Sequence, residues 1–446
     1  MPRICIIGAG ISGLAAAWQL RQQGADCIVL EKAQRIGGAI RSEQIDGFLA
    51  EAGPNSIQIS NPEIAAFLNS IPGLKDQQIT ANTAANKRFL VRDGRVYPVP
   101  MGPLQALTTP LWSRSAKLRL LKEPFISRRE DTSEESVADF ACRRLGSELY
   151  HYAINPLVGG IYAGKPEALS LRYAFPKLYA LEAECGGLIR GALAKMRASK
   201  KAGQPRFKKS IISFKDGLES LPQYLSKALG TSVQTGVRIE RIKRNDTDWT
   251  VDWNGNSERY DRVIITAPAY ALSELPLPED LQEALAPLAA IEYPPVSVLS
   301  LGFQRSSVEH LLDGFGVLVP ECEQRSILGA LFTSSFFEGR APDGSILLTV
   351  FVGGDRQPHL SSNDASLLEQ RVLPDLAELL GIKEGPVMRH LTHWPRAIPQ
   401  YKMGYGHYLK TITDAETHYP GLEIMSNYRN GISLSYCLEA AIAAKL

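Results

Sequence analysis

The chain has 446 residues, 44% of them hydrophobic and 22% charged, which excludes disordered, collagen-like and coiled-coil classes and leaves room for about three domains at roughly 100–200 residues each. Lys and Arg number 49 against 47 Asp and Glu, a net charge of +2, so no global field draws the protein to phosphate-rich polymers and nucleic acid is not an expected partner. The six cysteines form no Cys-x-x-Cys pair and no ligand spacing with the seven histidines, which points to reduced thiols and no metal.

Residues 4–20 are uncharged and follow Arg3, imitating a secretory signal, but the stretch is glycine-rich and reads better as part of a nucleotide fold. No other window offers the ~20 apolar residues needed to cross a bilayer. The run RICII at 3–7 predicts a strand, GAGISG at 8–13 a tight turn, and residues 14–20 a helix ended by Gly24. Residues 26–30 form a second strand that finishes at Glu31, completing a βαβ unit. Gly8 permits the turn, Gly10 lets the backbone approach a pyrophosphate, and Gly13 lets the helix sit close on the strand. The diphosphate is expected on the helix N-terminus, with Glu31 accepting from the ribose hydroxyls.

Directly after Glu31, the segment from Lys32 to Arg41 carries Gly37 and Gly38 beside cationic side chains. It resembles the stretch that flavoproteins of the amine oxidase superfamily fold over the FAD diphosphate, with backbone amides reaching the cofactor at the glycines and Arg41 adding charge. FAD rather than NAD is therefore the expected cofactor. Phe48 to Pro54 leads into a turn at Asn55 and Ser56. Residues 101–203 show amphipathic stretches and few β-branched runs, which predicts a mostly helical insertion. The basic segment from Arg197 to Lys209, around Gly203, Pro205 and Arg206, reads as a solvated loop, with an anion- or membrane-facing patch as the alternative.

β character returns after Ser210. Strands are expected at 211–214, 233–237, 238–242, 249–253 and 259–265, the last rejoining the first βαβ sheet and making the nucleotide domain discontinuous. Four more at 296–304, 315–319, 326–332 and 345–352 suggest a second sheet over the cofactor. His390 and His393 could share a helix face but lack a partner, so a structural role is expected.

Several separated segments resemble the protoporphyrinogen oxidase family. They are GAGISGLAAAW, Asn155 to Gly164 (NPLVGGIYAG) with Leu169-Ser170, Ala174-Phe175-Pro176, FVGG at 351–354, AIPQY at 397–401 and NYRNGIS at 427–433. The resemblance implies an α/β (α+β multidomain) protein. A discontinuous Rossmann-like FAD-binding domain would take residues 1–80, 207–290 and 395–446, a mixed-sheet substrate domain 81–94 and 291–394, and a helical, membrane-associating insertion 95–206. Cofactor positions carry over as Gly8, Gly10, Ser12, Gly13, Glu31, Lys32, Gly37, Gly38, Arg41, Gly53, Pro54, Asn55, Ser56, Val237, Trp394, Ile432, Ser433 and Leu434. Arg88 matches an arginine held against a substrate propionate, a role suited to its planar fork. Leu318, Leu331 and Phe351 match apolar positions that sandwich the macrocycle, and the backbone near Gly164 is expected to approach the substrate and orient or accept protons.

The implied activity is oxidation of protoporphyrinogen IX to protoporphyrin IX in haem biosynthesis, with O2 as acceptor and H2O2 as product. Open alternatives are a coproporphyrinogen III oxidase and another flavin amine oxidase or carotenoid-desaturase-like enzyme. A cytoplasmic protein, peripheral on the inner face of the cytoplasmic membrane, is expected, and a homodimer is left open.

Overall fold

Successive side chains of the first strand, Arg3–Ile7, point into two different cores. Ile4 and Ile6 pack with the helices Ile11–Gln22, Pro62–Ser70, Ser220–Leu229 and Leu434–Ala443, whereas Cys5 and Ile7 share the second core with Trp249, Trp253, Leu281 and Leu285. A parallel sheet requires cover on both faces, which is why its strands are apolar throughout. The computed structural model describes residues 1–129, 133–201 and 207–446. Gly203, Pro205 and Arg206 of the basic segment lie outside the described residues.

This first sheet has five parallel strands in the spatial order Val233–Gln234, Asp26–Leu30, Arg3–Ile7, Arg262–Ile265 and Leu422–Ile424. It draws its strands from both ends and the middle of the chain. Two expectations differ in detail. Residues 233–237 yield only the short strand Val233–Gln234, and the run 259–265 is two strands, because the chain changes sheets at Asp261. Asn256–Tyr260 closes a small antiparallel sheet with Ile239–Arg244 and Trp249–Trp253, while the Asp261 N–H donates to Arg3 O at 2.8 Å and starts the parallel ladder.

The second sheet has seven strands ordered Met388–Trp394, Val296–Gln304, Ser345–Gly353, Ile327–Leu331, Gly316–Leu318, Phe89–Arg92 and Arg95–Pro98. Its ladders are antiparallel except where Gly316–Leu318 meets Phe89–Arg92. One face carries Leu299, Leu301, Phe303 and Val350 against Leu368, Val372 and Leu376 of the helix Ala365–Leu380. His390 and His393 lie on the strand Met388–Trp394, not on a helix. The ladder with Val296–Gly302 fixes them there and, three residues apart, on opposite faces. His393 Nδ1 contacts the hydroxyls of Ser297 and Ser361, each at 3.2 Å.

Between residues 103 and 201 the described chain is helical from Pro103–Thr108 to Leu188–Lys201, with an isolated bridge between Ser136 and Ser170. Buried ion pairs hold this part together. Arg144, fully buried, lies 3.1 Å from Glu123 and 2.5 Å from Glu182. Glu123 also accepts from the N–H groups of Leu188 and Ile189 at 2.8 and 3.1 Å, capping the last helix. A buried cation is tolerated because its partners are themselves hydrogen-bonded.

Candidate active site

Gly8 follows the first strand at φ +107°, a conformation that costs glycine little. The helix Ile11–Gln22 then begins with Gly10 as N-cap, no capping side chain and no acid in its first turn. Its leading N–H groups remain for an anion. A Cβ on Gly13 would lie 2.0 Å from Gly8 O and one on Gly8 2.6 Å from Thr266 Oγ1, but one on Gly10 would meet nothing within 4 Å. Gly8 and Gly13 therefore serve the fold, and Gly10 faces open space. Gly37 N donates to Ala9 O at 2.8 Å, which lays the 37–38 turn beside Gly10.

A second helix end meets the first. Leu434–Ala443 packs along Ile11–Gln22; Cys437 near its start lies beside Ser12, and Ala444 O beyond its end accepts from Gln23 Nε2 at 2.8 Å. The two helices run parallel, so their N-termini sit side by side. Ser433 caps the second helix, accepting from Tyr436 N at 3.2 Å, with Ile432 and Leu434 half-buried at its entrance. Two positive helix ends around an open glycine form an anion cradle.

At the edge of the cradle, Glu31 is fixed by two backbone donors, Ala9 N at 2.7 Å and Ala33 N at 2.8 Å. Val237 is buried beside it, its N–H donating to Glu31 O at 2.8 Å. The ammonium of Lys32 pairs with Glu274 at 3.0 Å and the guanidinium of Arg41 with Glu43 at 2.6 Å. The cation bonded to the glycine turn is instead Arg35, which donates to Gly38 O at 2.7 Å and Ile40 O at 2.8 Å.

The strand Phe48–Glu51 feeds a close-packed turn. A Cβ on Gly53 would lie 2.2 Å from Ala39 O, Asn55 is buried with Nδ2 on Gly53 O at 3.1 Å and its Oδ1 unpartnered among the described residues, and Pro54 and Ser56 flank it half-buried. Trp394 Nε1 donates to Ala52 O at 2.7 Å, tying the second sheet to this turn. Glu51 is buried, and burial pushes its carboxyl up to about 7, against hydrogen bonds from Ser42 and Leu218 N and the charge of Arg340.

Opposite its helix-covered face, the second sheet presents a wall. Leu318 pairs across to Gly329 and Gly329 to Phe351, while Leu331 pairs to Thr349, which puts Leu318, Leu331 and Phe351 on one face with Trp394. All three are only half-buried, among neighbours that are buried. Arg88 is exposed at one end, its guanidinium 5.5 Å from the Phe315 ring centre, and among the described residues it forms no ion pair, whereas neighbouring Lys87 pairs with Asp313. On the other side the helix Asn155–Tyr162 approaches so closely that a Cβ on Gly160 would lie 2.5 Å from Leu318 Cδ2. Gly164 follows that helix and abuts Gln400, and Ala163 packs with Phe351 and Trp394.

Sequence reasoning missed Arg35, Glu51, Gln400 and Tyr401 as individuals. Tyr401 OH donates to Asn427 O at 2.5 Å and accepts from Gly431 N at 3.0 Å, holding the entrance to the 432–434 segment. Gln400 and Tyr401 do stand in the AIPQY segment; Glu51 carries no local signal.

The cradle, the carboxylate at its edge and the glycine turn over it fit the diphosphate and ribose of a dinucleotide. The signature of flavin containing amine oxidoreductases matches residues 11–429, so the chain belongs to that family and is an FAD-dependent oxidoreductase. Within it the chain belongs with the protoporphyrinogen oxidases. It is 32% identical to "Protoporphyrinogen oxidase 2, chloroplastic/mitochondrial" of Arabidopsis thaliana, across 99% of this chain and 92% of that one. It is 29% identical to "Coproporphyrinogen III oxidase" of Bacillus subtilis (strain 168), across 99% and 96%. A solved structure from Exiguobacterium sp. 255-15, provisionally named a protoporphyrinogen oxidase, superposes with a TM-score of 0.80 at 25% identity, covering 99% of this chain and 97% of that one.

Proposed function

We propose that this enzyme oxidises protoporphyrinogen IX to protoporphyrin IX in haem biosynthesis, passing electrons to O2 and releasing H2O2. The observation that carries the reading is the wall of Leu318, Leu331 and Phe351. It is apolar and half-uncovered, with Trp394 on the same face and, at one end, the Arg88 guanidinium, which lies against the Phe315 ring and forms no ion pair among the described residues. A tetrapyrrole with propionate arms matches that combination.

A porphyrinogen is colourless because saturated carbons bridge its pyrroles; each oxidation removes a hydride from a bridge carbon and a proton from a pyrrole nitrogen, and the shift of the last surplus bridge proton to a nitrogen completes the porphyrin. Bound FAD supplies the hydride acceptor. The wall residues orient the bridge carbon and exclude water, and Arg88 anchors a propionate in ground and transition states alike. The domain division at 1–80, 207–290 and 395–446, 81–94 and 291–394, and 95–206 accompanies this reading, the first group carrying the cofactor and the second the substrate.

Arg88→Ala is expected to raise KM for the porphyrinogen about tenfold with kcat little changed, as loss of uniform binding requires. An unchanged KM removes Arg88 from the site. Porphyrin fluorescence under steady turnover compares the two porphyrinogens. Arg88, which forms no ion pair among the described residues, is the cation read here as a propionate anchor and favours protoporphyrinogen; faster turnover of coproporphyrinogen, with its additional propionates, would transfer the assignment to it.

The finer localisation is also ours to propose: a peripheral contact with the inner face of the cytoplasmic membrane through the helical part. No described helix is long and apolar enough to span a bilayer. Leu104, Leu107, Leu118, Leu121, Phe125 and Met196 are exposed there beside Arg114, Lys122, Arg128 and Lys195, the mixture that an anionic interface binds.

A further inference from the structure

Two costly features meet in one turn. The helix Asn155–Tyr162 ends at Ala163 with φ +49°, a left-handed conformation uncommon for a residue with a Cβ. Beside it, Gln400 is 2% exposed and, among the described residues, its Oε1 is buried without a partner, an unfavourable state for an acceptor removed from water. The Gln400 amide cannot be turned over to relieve this. Its Nε2 already donates to Tyr162 O at 2.8 Å and Ile398 O at 3.0 Å, so both N–H groups are engaged and the oxygen direction is fixed. That oxygen lies 2.2 Å from where a Cβ on Gly164 would stand. Ala163 is further pinned by Asp355 N donating to its carbonyl at 2.7 Å. The same residue touches Phe351 and Trp394, so the turn is part of the wall.

We propose that Gln400 is a positioning residue for the oxidation: its buried amide clamps the Tyr162 carbonyl, holds Ala163 left-handed, and sets the Gly164 backbone against the substrate wall, which is why residue 164 has no side chain. An apolar side chain of equal length would fill the space but leave the Tyr162 and Ile398 carbonyls without this donor, so the amide's function is the clamp on the turn. This inference rests on the porphyrinogen reading for the wall.

A double-mutant cycle tests it. Gln400→Ala is expected to lower kcat at least tenfold with KM changed less than threefold and FAD content intact, because the turn acts on reaction geometry rather than on anchoring. Gln400→Met, of similar length but without the donors, should fall with it. Gly164→Ala should be severe in the Gln400 protein and cost less than about twofold more in the Gln400→Ala protein, where the obstructing oxygen is gone. Melting temperature, read without substrate, should show the same loss of additivity. Multiplicative effects of the two substitutions on kcat and additive effects on melting overturn the proposal, as does a Gln400→Met enzyme with wild-type kcat. A wild-type protein inert to both porphyrinogens instead refutes the functional reading, an outcome separate from an active wild type whose cycle is additive.

Discussion

Glu51 shows how much of this site depends on single groups. Its carboxylate accepts from Ser42 Oγ at 2.6 Å and from Leu218 N at 2.8 Å, and Arg340, equally buried, donates to Ser213 Oγ and Phe214 O at 2.8 and 2.9 Å on the same 213–218 segment. The acid and the base thus grip one turn, and the acid lies next to the Ala52 carbonyl that receives Trp394. Burial raises the Glu51 carboxyl from 4.5 to about 7. The folded protein therefore holds this proton more tightly than the unfolded chain, and the stability it contributes is complete below the unfolded value and is lost as pH rises through about 7. From about pH 5 to about pH 8 the wild type should lose on the order of 3 kcal/mol through this group, and Glu51→Gln should remove that part of the slope. Equal slopes in denaturant titrations across that range would show that Glu51 is ionised throughout. Nothing local in the sequence announces this, since the Leu218 donor is 167 residues away; by contrast the differing roles of Gly8, Gly10 and Gly13 are legible because their constraints are local.

The βαβ entrance separates folding from cofactor binding. Gly13→Ala drives a Cβ to 2.0 Å from a backbone oxygen, which neither partner can avoid, so the apoprotein should lose about 3 kcal/mol or more. Gly10→Ala meets nothing within 4 Å and should leave apoprotein melting unchanged while weakening FAD at least tenfold in a fluorescence titration. If Gly10→Ala binds FAD normally, the cradle lies elsewhere. The first βαβ unit and the four runs between 296 and 352 could be read from periodicity, whereas the helices Pro62–Ser70, Ala365–Leu380 and Gly406–His418 could not, and two misreadings share one cause. The strand Met388–Trp394 is mostly half-buried and mixed in polarity, so its own pattern does not distinguish it from a helix, and only its ladder with Val296–Gly302 decides. The break at Asp261 is likewise invisible until two sheets compete for one apolar run.

Across the molecule, chain-order reading recovers the return of the strand Arg262–Ile265 to the first sheet, because buried parallel strands are strongly apolar, but not that of Val233–Gln234 or Leu422–Ile424. It does not recover how the second sheet meets the 52–56 turn, which rests on Trp394 to Ala52, nor how the helix Asn155–Tyr162 meets the 397–401 segment, which rests on Gln400 to Tyr162, contacts between residues far apart in the chain. The helical part carries exposed Leu118 and Phe125, 61% and 81% accessible. Replacing both with Glu should abolish co-sedimentation with anionic vesicles, and unchanged binding would place the membrane contact on another surface. The porphyrinogen reading itself is decided by anaerobic mixing of the FAD-loaded protein with protoporphyrinogen IX while flavin absorbance is followed. Bleaching within the turnover time, with porphyrin fluorescence rising in step, is the expected result; a flavin that stays oxidised with either porphyrinogen but bleaches with a polyamine would contradict it.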